Sequence, residues 1–301
     1  MESNARRRPL VIVGAPTSAG SYAAGQDSAP RVLREFGLVE RLAADGREVR
    51  DAGDGRLQVW SPDREHPFAQ NFEAAAEAIR EVAVMVGTAL DDDADVLVVG
   101  GNCTIALGVM SALVQRDPDG ALVYVDRHFD LNTPSTTIDG ALDWMGMACA
   151  FDLMTEPPDF GFPRTPLLTS EQLLYVGADP AAATDWEREQ VTRLGLAWRS
   201  NEALAADPSG EATTILDWVG TRPFALHLDL DVLDFTDLPL AENTDGRNSG
   251  PSLAAVAEVL AVGCSSPGFR VLSIGEINPT RAAGTPDSIP RFIEALGAAL
   301  G

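Results

Sequence analysis

Residues 123–134 read VYVDRHFDLNTP, a short apolar run that leads into three side chains able to bind a metal ion. Asp126, His128 and Asp130 are spaced two residues apart. Because successive side chains of a β-strand point to opposite faces, this spacing predicts that two carboxylates and one imidazole project from the same face. The stretch therefore predicts a strand whose end carries part of a metal site.

Residues 224–234 read FALHLDLDVLD and place two further acids, Asp229 and Asp231, at the end of a second apolar run. If the two strands lie side by side, four carboxylates and a histidine meet in a small volume. Such carboxylates cannot all ionise without a counter-charge, and divalent cations supply one. His227 lies two residues before Asp229, so we expect it either to support the site as a partner of its ligands or to pack beneath it.

Short runs of β-branched residues alternate along the chain with longer segments of helical period. The predicted strands are 10–14, 47–50, 95–99, 121–126, 172–176, 195–198, 224–229 and 271–276. The predicted helices are 29–44, 68–90, 104–116, 140–153, 184–194, 252–264 and 287–300. This alternation predicts an α/β fold with three layers, in which a mostly parallel central sheet of about eight strands lies between helices. We interpret residues 1–301 as one domain, with its ligands at the carboxyl ends of the strands.

The composition limits the classes of partner. A formal net charge of −23, from 45 acidic and 22 basic residues, argues against binding to nucleic acid or to an anionic membrane surface. The excess of acids is compatible with a cationic substrate, and equally with solubility alone. Three cysteines without paired spacing favour a reducing compartment. No apolar run approaches the ~20 residues of a membrane span, so we expect a cytoplasmic protein that acts on a small molecule.

Residues 95–108 read DVLVVGGNCTIALG, which predicts a strand, a Gly-Gly turn and the start of a helix. The turn lacks both the G-x-G-x-x-G pattern and the lysine of a P-loop, so it does not support a nucleotide site. Cys103 is predicted at the helix N-terminus, where the helix dipole lowers the pKa of a thiol. The alternative is a small buried residue at a strand-helix corner.

Three further stretches extend the pattern over almost the whole chain: VIVGAPTS at 11–18, GQDSAPRVLREFGL at 25–38 and GEINP at 275–279. Together with the two acidic stretches they resemble the arginase/agmatinase (ureohydrolase) family, whose motifs occur in this order. The resemblance implies an arginase-like fold, two bound Mn²⁺ ions and the release of urea from a small guanidino compound. Members of the family are often trimers or hexamers, so we expect a homo-oligomer.

The resemblance also implies a set of metal ligands. Asp126 and Asp229 would bridge the two ions, His128 and Asp231 would hold one of them, and Asp130 would hold the other.

Cys103 departs from the family at a ligand position. Where the family has Gly-Gly-Asp-His, with the histidine as a metal ligand, residues 100–103 read GGNC. A thiolate at this position would favour another divalent metal, Zn²⁺ or Fe²⁺, over Mn²⁺. Alternatively, the thiol of Cys103 stays protonated and uncoordinated.

Three acids are candidates for catalysis. The metal ions would lower the pKa of a bound water, and Asp130 is the family's candidate for handling its proton. Glu276 matches the position that faces the guanidino group in the family, and the alternative is a solvent-exposed loop acid. Asp143 stands where the family has a histidine proton shuttle, so it would relay a proton, bind a cation, or serve as an acid near a helix N-terminus.

Residues 136–146 align with the family segment that grips the amino-acid end of arginine. Asn132 and Thr137 match substrate-binding residues of the family. Asp139 stands where the family has a serine, and an acid there would repel an α-carboxylate at short range. This charge argues against ordinary L-arginine as the substrate.

Cysteine in place of the ligand histidine is similar to the Nω-hydroxy-L-arginine amidinohydrolase branch of the family. N-hydroxylation lowers the basicity of a guanidine and gives a more electrophilic neutral form, so we expect hydroxyarginine as the substrate. One alternative is an agmatinase-like or guanidinobutyrase-like hydrolase of another guanidine or amidine, favoured by the acids at 139 and 143. Another is a non-catalytic arginase-fold scaffold or partner subunit, favoured by the loss of two family histidines.

Overall fold

A parallel sheet of eight strands forms the centre of the computed structural model, which describes residues 7–137, 139–243 and 248–301. The strands are β1 (Leu10–Gly14), β2 (Val49–Asp54), β3 (Asp95–Val99), β4 (Ala121–Val125), β5 (Leu173–Ala178), β6 (Ala197–Ser200), β7 (Phe224–Asp229) and β8 (Phe269–Gly275). Their order across the sheet is β2-β1-β3-β8-β7-β4-β5-β6. Every pairing in this sheet is parallel. The predicted central sheet is confirmed.

Ten α-helices within the described ranges cover the sheet. They are α1 (Ala29–Glu35), α2 (Leu38–Ala43), α3 (Phe72–Asp91), α4 (Ile105–Arg116), α5 (Gly146–Ala150), α6 (Asp185–Leu194), α7 (Asn201–Ala206), α8 (Pro208–Val219), α9 (Leu253–Cys264) and α10 (Ser288–Leu300). Helices α3 to α6 pack on one face of the sheet, and α1, α2 and α7 to α10 pack on the other. The three-layer α/β/α architecture is therefore confirmed.

The helix boundaries differ from the prediction in several places. The segment predicted as one helix over 29–44 is divided into α1 and α2, because Gly37 takes a left-handed conformation with φ of 90°. The helix predicted over 140–153 is limited to a 3₁₀ turn at Leu142–Met145 and the five residues of α5. The helix predicted to begin at residue 68 begins at Phe72 instead.

Helices α7 and α8 lie where no helix is predicted. Asp207 and Pro208 interrupt the helical period between them, and in the structure these residues start a new helix. Asp207 accepts a 3.0 Å hydrogen bond from the backbone N–H of Gly210, and Pro208 occupies the first turn of α8. An N-capping acid followed by proline marks the start of a new helix as well as the end of the preceding one.

The four central strands bring their carboxyl ends to one edge of the sheet. Strands β3, β8, β7 and β4 are consecutive neighbours, and Asp229 at the end of β7 is paired with Gly275 at the end of β8. Since all four run in the same direction, the loops that follow them converge on one region. Among the described residues, no helix is long and apolar enough to cross a membrane.

Candidate metal centre

A small cavity lies at the carboxyl ends of the central strands. Its volume is about 20 Å³, which corresponds to about one water molecule. The residues that line it are Tyr22, Cys103, His128, Asp130, Asp143, Trp144, Asp229, Asp231, Asn243 and Glu276. The structure thus brings the predicted catalytic acids together with most of the predicted metal ligands.

Asp126, His128 and Asp231 form the first of two groups of potential metal ligands, which we call the Asp126 group. One ligand atom of each residue lies within 4.8 Å of the other two. Nδ1 of His128 lies 3.3 Å from Oδ2 of Asp231 and 3.5 Å from Oδ1 of Asp126. Oδ2 of Asp126 is buried and accepts no hydrogen bond from the described residues. Such an oxygen fits a metal ion, because a buried carboxylate without a partner is otherwise costly.

Asp130 and Asp229 line the same cavity as this group. Oδ1 of Asp229 accepts a 2.8 Å hydrogen bond from the backbone N–H of Asp231, and Oδ2 of Asp130 accepts a 2.7 Å hydrogen bond from the hydroxyl of Tyr124. Asp130 has a φ of 53°, and its carbonyl accepts two backbone hydrogen bonds from α5, of 3.0 and 3.1 Å. A left-handed non-glycine residue costs about 1–3 kcal/mol and persists where its surroundings hold it. Helix α5 therefore helps to fix the loop that carries Asp130.

The protonation of these residues depends on their burial. Burial raises the pKa of Asp126, Asp130 and Asp229, and neighbouring carboxylates raise it further. Burial lowers the pKa of His128, but the carboxylates of Asp231 and Asp126 outweigh it and hold that pKa well above its ordinary value. Without cations the centre therefore retains protons, and divalent cations would replace them.

Cys103, Asp143 and Glu276 form the second group, which we call the Cys103 group. One ligand atom of each lies within 4.8 Å of the other two, and the exposed fractions of the residues are 1%, 8% and 4%. Sγ of Cys103 lies 3.4 Å from the carbonyl oxygen and 3.9 Å from Oδ1 of Asp143. The backbone N–H of Cys103 donates a 2.8 Å hydrogen bond to Oε1 of Glu276. Glu276 is therefore buried at the site and is not a solvent-exposed loop acid.

The thiol of Cys103 is not activated by the helix dipole as predicted. Helix α4 begins at Ile105 with Thr104 before it, so Cys103 lies outside the helix. Burial raises the pKa of the thiol well above its ordinary value, and nearby carboxylates, Asp130 and Asp143 first among them, raise it further. The prediction of a lowered pKa is wrong, because burial among acids outweighs the dipole.

Two amides that the sequence patterns do not single out orient the carboxylates of the Cys103 group. Nδ2 of Asn102 donates a hydrogen bond to Oδ1 of Asp143, and Nε2 of Gln26 donates one to Oε2 of Glu276. Burial raises the pKa of Asp143 to about 8, although the hydrogen bond from Asn102 lowers it. Asn102 lies in the motif GGNC, and Gln26 lies in the motif GQDSAP. Their positions inside these motifs are the sequence signal that could have identified them as site residues.

A sequence model of the arginase family matches residues 8–288. The chain belongs to the arginase family. Relatives in this family are metal-dependent hydrolases that act on guanidino C–N bonds, and the chain is an enzyme of this class.

Known arginases are similar to this chain in sequence and in fold. Arginase-1 of Rattus norvegicus is 29% identical over 304 residues, which cover 96% of this chain and 90% of the relative. Mitochondrial arginase-2 of Homo sapiens is 27% identical over 290 residues, which cover 93% and 80%. The structure of arginase from Bacillus caldovelox matches with a TM-score of 0.85 at 20% identity over 98% of each chain. Formimidoylglutamase from Bacillus subtilis shares the fold with a TM-score of 0.74 at 18% identity, over 99% of this chain and 88% of the other.

A second cavity, of about 190 Å³, adjoins the metal centre of this arginase-family chain. It is lined by His128, Asn132, Thr136, Thr137, Trp144, Ala182, Thr184 and Glu187. His128 and Trp144 line both cavities, so the second cavity lies beside the metal centre. Asn132 and Thr137, two of the predicted substrate-binding residues, lie in this lining.

The polar groups of the second cavity differ in the hydrogen bonds that they already make within the protein. Oδ1 of Asn132 lies within hydrogen-bond distance of the hydroxyls of Thr136 (3.1 Å) and Thr184 (3.0 Å). This contact directs the oxygen of the amide to the protein and leaves Nδ2 to meet a ligand. The carboxylate of Glu187 accepts backbone hydrogen bonds from Leu131 (3.2 Å) and Thr184 (2.9 Å), so it holds the loop rather than a ligand.

Asp139, the third predicted substrate-binding residue, is not among the residues that line either cavity. Its Oδ2 accepts a 3.1 Å hydrogen bond from Nε1 of Trp144, and its Oδ1 accepts a 3.0 Å hydrogen bond from the backbone N–H of Ala141. The ring of Trp144 packs edge-on against His128, with centroids 5.3 Å apart. Asp139 therefore holds the aromatic ring that lines both cavities.

His227 packs beneath the centre, which was one of its two predicted positions. The residue is fully buried, and its ring stacks on Tyr124 with centroids 4.8 Å apart. Its Nδ1 lies 2.8 Å from Oγ of Ser273. Burial lowers the pKa of His227 to about 3, so the imidazole is neutral at ordinary pH.

Proposed function

We propose that the chain is a dinuclear metal-dependent amidinohydrolase that cleaves Nω-hydroxy-L-arginine to ornithine and hydroxyurea. The main support is the convergence of five predicted ligands at one buried centre, where an oxygen of Asp126 accepts no hydrogen bond from the described residues. Carboxylates with one imidazole are ligands that suit Mn²⁺. We therefore propose two Mn²⁺ ions as cofactors, with another divalent metal at Cys103 as the alternative.

Family resemblance supports an assignment of ligands to the two ions. Asp126 and Asp229 would serve both ions, His128 and Asp231 would hold one of them, and Asp130 and Cys103 would hold the other. When bound, the ions lower the pKa of a water molecule, so that a nucleophile for the guanidino carbon is available near neutral pH.

Asp130 is the proposed acceptor of the proton from that water. A general base must lie within hydrogen-bond reach of the proton that it removes. The carboxylate of Asp130 lines the cavity, and the hydroxyl of Tyr124 holds one of its oxygens in place. The other oxygen can meet a nucleophile in the cavity.

Glu276 and Asp143 have proposed roles on the substrate side of the reaction. By resemblance to the family, Glu276 faces the guanidino group and Asp143 takes the place of the proton shuttle. Burial raises the pKa of Asp143, which favours a carboxyl group that can hold a proton and donate it to the leaving amine. Both roles require that neither carboxylate is bound to a metal ion when the substrate reacts.

The second cavity favours a substrate whose far end carries no net charge. Its wall offers the amide of Asn132 and three threonine hydroxyls, while backbone N–H groups occupy the carboxylate of Glu187. The zwitterionic end of an amino acid suits this wall, because its ammonium and carboxylate groups balance each other. The free amine of agmatine would meet the carboxylate of Glu187, but both oxygens of that carboxylate already accept backbone hydrogen bonds. This wall supports hydroxyarginine over agmatine.

The test is hydrolysis by the purified chain with Mn²⁺ of L-arginine, Nω-hydroxy-L-arginine, agmatine and guanidinobutyrate, measured as the urea released or, for hydroxyarginine, as the hydroxyurea released. We expect kcat/KM for hydroxyarginine to exceed the others at least tenfold, or about 1.4 kcal/mol. Preference for agmatine or guanidinobutyrate would favour the agmatinase-like alternative. A folded, metal-loaded chain that hydrolyses none of the four would indicate that its substrate is another guanidine or amidine. Light scattering on the same sample tests the proposed trimer or hexamer.

A further inference from the structure

The Cys103 group has the composition of a metal site of its own. Its thiol and two carboxylates come from the turn after β3, the 3₁₀ turn at Leu142–Met145 and the residue after β8. They lie as close to one another as the members of the Asp126 group do, each set within 4.8 Å. No residue is shared between the two sets, so two separate ligand sets meet at one buried centre.

The Cys103 group lies among further acids. The charged groups that act most strongly on Cys103 and Glu276 are carboxylates. The groups that hold the two acids of the set are neutral donors: the amides of Asn102 and Gln26 and the backbone N–H of Cys103. Neutral donors orient carboxylates but leave their charge in place, whereas a divalent cation compensates it.

An oxygen of Asp143 points to the same kind of ligand. Its Oδ2 is buried and accepts no hydrogen bond of good geometry from the described residues, although the hydroxyl of Ser21 lies beside the carboxylate. Its Oδ1 is held by Nδ2 of Asn102. Carboxylates that bind metals commonly have this arrangement, in which a protein donor fixes one oxygen and the other is left for the ion.

We propose that Cys103, Asp143 and Glu276 together bind the first metal ion in the absence of substrate. Thiolate ligands favour Zn²⁺ over Mn²⁺, so the two ions of the centre differ in kind, with Mn²⁺ at the Asp126 group. The inference rests on the proposed dinuclear function. It makes Asp143 and Glu276 metal ligands of the resting enzyme, which must leave the ion before they can meet a substrate.

Cobalt(II) is the probe for this site, because a Co²⁺–thiolate bond gives a charge-transfer band in the near ultraviolet that carboxylates and imidazoles do not give. The metal-free full-length chain is titrated with Co²⁺ while the band, the bound metal and the released protons are measured. The variants are Cys103→Ser, Asp143→Asn and Glu276→Gln. The control is Cys149→Ser, which removes a buried thiol in α5 outside both groups. Circular dichroism verifies the fold of each variant.

We expect one thiolate band per wild-type chain, present in Cys149→Ser and absent from Cys103→Ser. Asp143→Asn and Glu276→Gln should keep the thiol but lower the Co²⁺ affinity read from the band by tenfold or more. Proton release should accompany binding, because the ligand is the thiolate and the native thiol is protonated. Added Zn²⁺ should displace the Co²⁺ and abolish the band. This should require a lower concentration of Zn²⁺ than of Mn²⁺.

Two results would overturn the proposal. One is unchanged Co²⁺ affinity in both Asp143→Asn and Glu276→Gln, and the other is two bound ions without a thiolate band. Hydrolysis of the four guanidino substrates by the same samples separates this inference from the proposed function. A chain that shows the band and its dependence on all three residues, yet hydrolyses no guanidine, would contradict the proposed function and leave the metal site standing.

Discussion

The hydroxyl of Tyr124 donates a 2.7 Å hydrogen bond to Oδ2 of Asp130, beneath the metal centre. Tyr124 lies on β4 two residues before Asp126, so both side chains project from the same face of the strand. Its ring is fully buried and stacks on His227. A rigid aromatic side chain thus positions the acid that we propose as both ligand and base.

Tyr124→Phe should lower metal affinity, substrate hydrolysis, or both by about 10–100-fold, because it removes a hydrogen bond that orients a ligand. The ring and its stacking on His227 are retained, so the fold should persist. Metal titration and kcat measurements test this expectation. Tyr175→Phe is a matched control, since the hydroxyl of Tyr175 donates a 2.7 Å hydrogen bond to a backbone carbonyl, that of Phe129. Equal metal affinity in the two variants would show that the Tyr124 hydroxyl does not act on the centre.

The metal-free chain should lose stability as pH rises. The pKa of Asp143 is raised from 3.8 to about 8, by burial first and by Asp139 and Glu242 in addition. At pH values between these two pKa values, the native state binds more protons than the unfolded state. The free energy of unfolding therefore falls as pH rises, by at most about 1.4 kcal/mol per pH unit for one group. The raised pKa of His128 acts in the same direction. The stability is therefore greatest at the acid end of the range.

Thermal unfolding across this pH range, in the presence of a chelator, measures the effect. Asp143→Asn should flatten the profile, because the amide does not titrate. Divalent metal should oppose the loss at the alkaline end, since the ions replace the protons there. A metal-free wild-type profile that rises with pH between the two pKa values would contradict the expectation.

The sheet and the acidic residues could be predicted because both depend on short-range patterns. A parallel strand covered on both faces is a continuous apolar run, and β3 and β4 read DVLVV and ALVYV. The two-residue spacing of Asp229 and Asp231 marks side chains at the end of one strand. Helices α7 and α8 were missed because Asp207 and Pro208 break the helical period at the point where they start the second helix.

Contacts between distant loops leave no such pattern in the sequence. The hydrogen bond from Gln26 to Glu276 joins residues 250 positions apart, and that from Asn102 to Asp143 joins residues 41 apart. The pKa of Cys103 could not be predicted for the same reason. The dipole of α4 can be inferred from the sequence, but the acids that surround the thiol come from other loops. The ligand types were predictable, but their partners and pKa values depend on the tertiary structure.

Gly275 allows the turn that carries Cys103 to pack closely on β8. A Cβ atom at this position would lie 3.0 Å from Cα of Cys103 and 3.2 Å from Cε1 of His227. Gly275→Ala should therefore lower the free energy of unfolding by about 1–3 kcal/mol and weaken the Co²⁺–thiolate band by displacing Cys103. Gly284→Ala is the control, because nothing lies within 4 Å of a Cβ there. Unchanged melting temperature and band in Gly275→Ala would show that the turn can shift without consequence.

Asp139→Ala tests whether Asp139 positions Trp144 or instead recognises the charge of the substrate. Asp139 holds Nε1 of Trp144 and the backbone N–H of Ala141, so its loss should loosen the ring that lines both cavities. We expect KM to rise by about tenfold on every substrate that is hydrolysed, in line with one lost charge-assisted hydrogen bond, and kcat to change little. Initial rates on hydroxyarginine, agmatine and guanidinobutyrate measure this. A carboxylate that contacts the substrate would instead shift the order of preference among these differently charged ends, and that shift would contradict the positioning role.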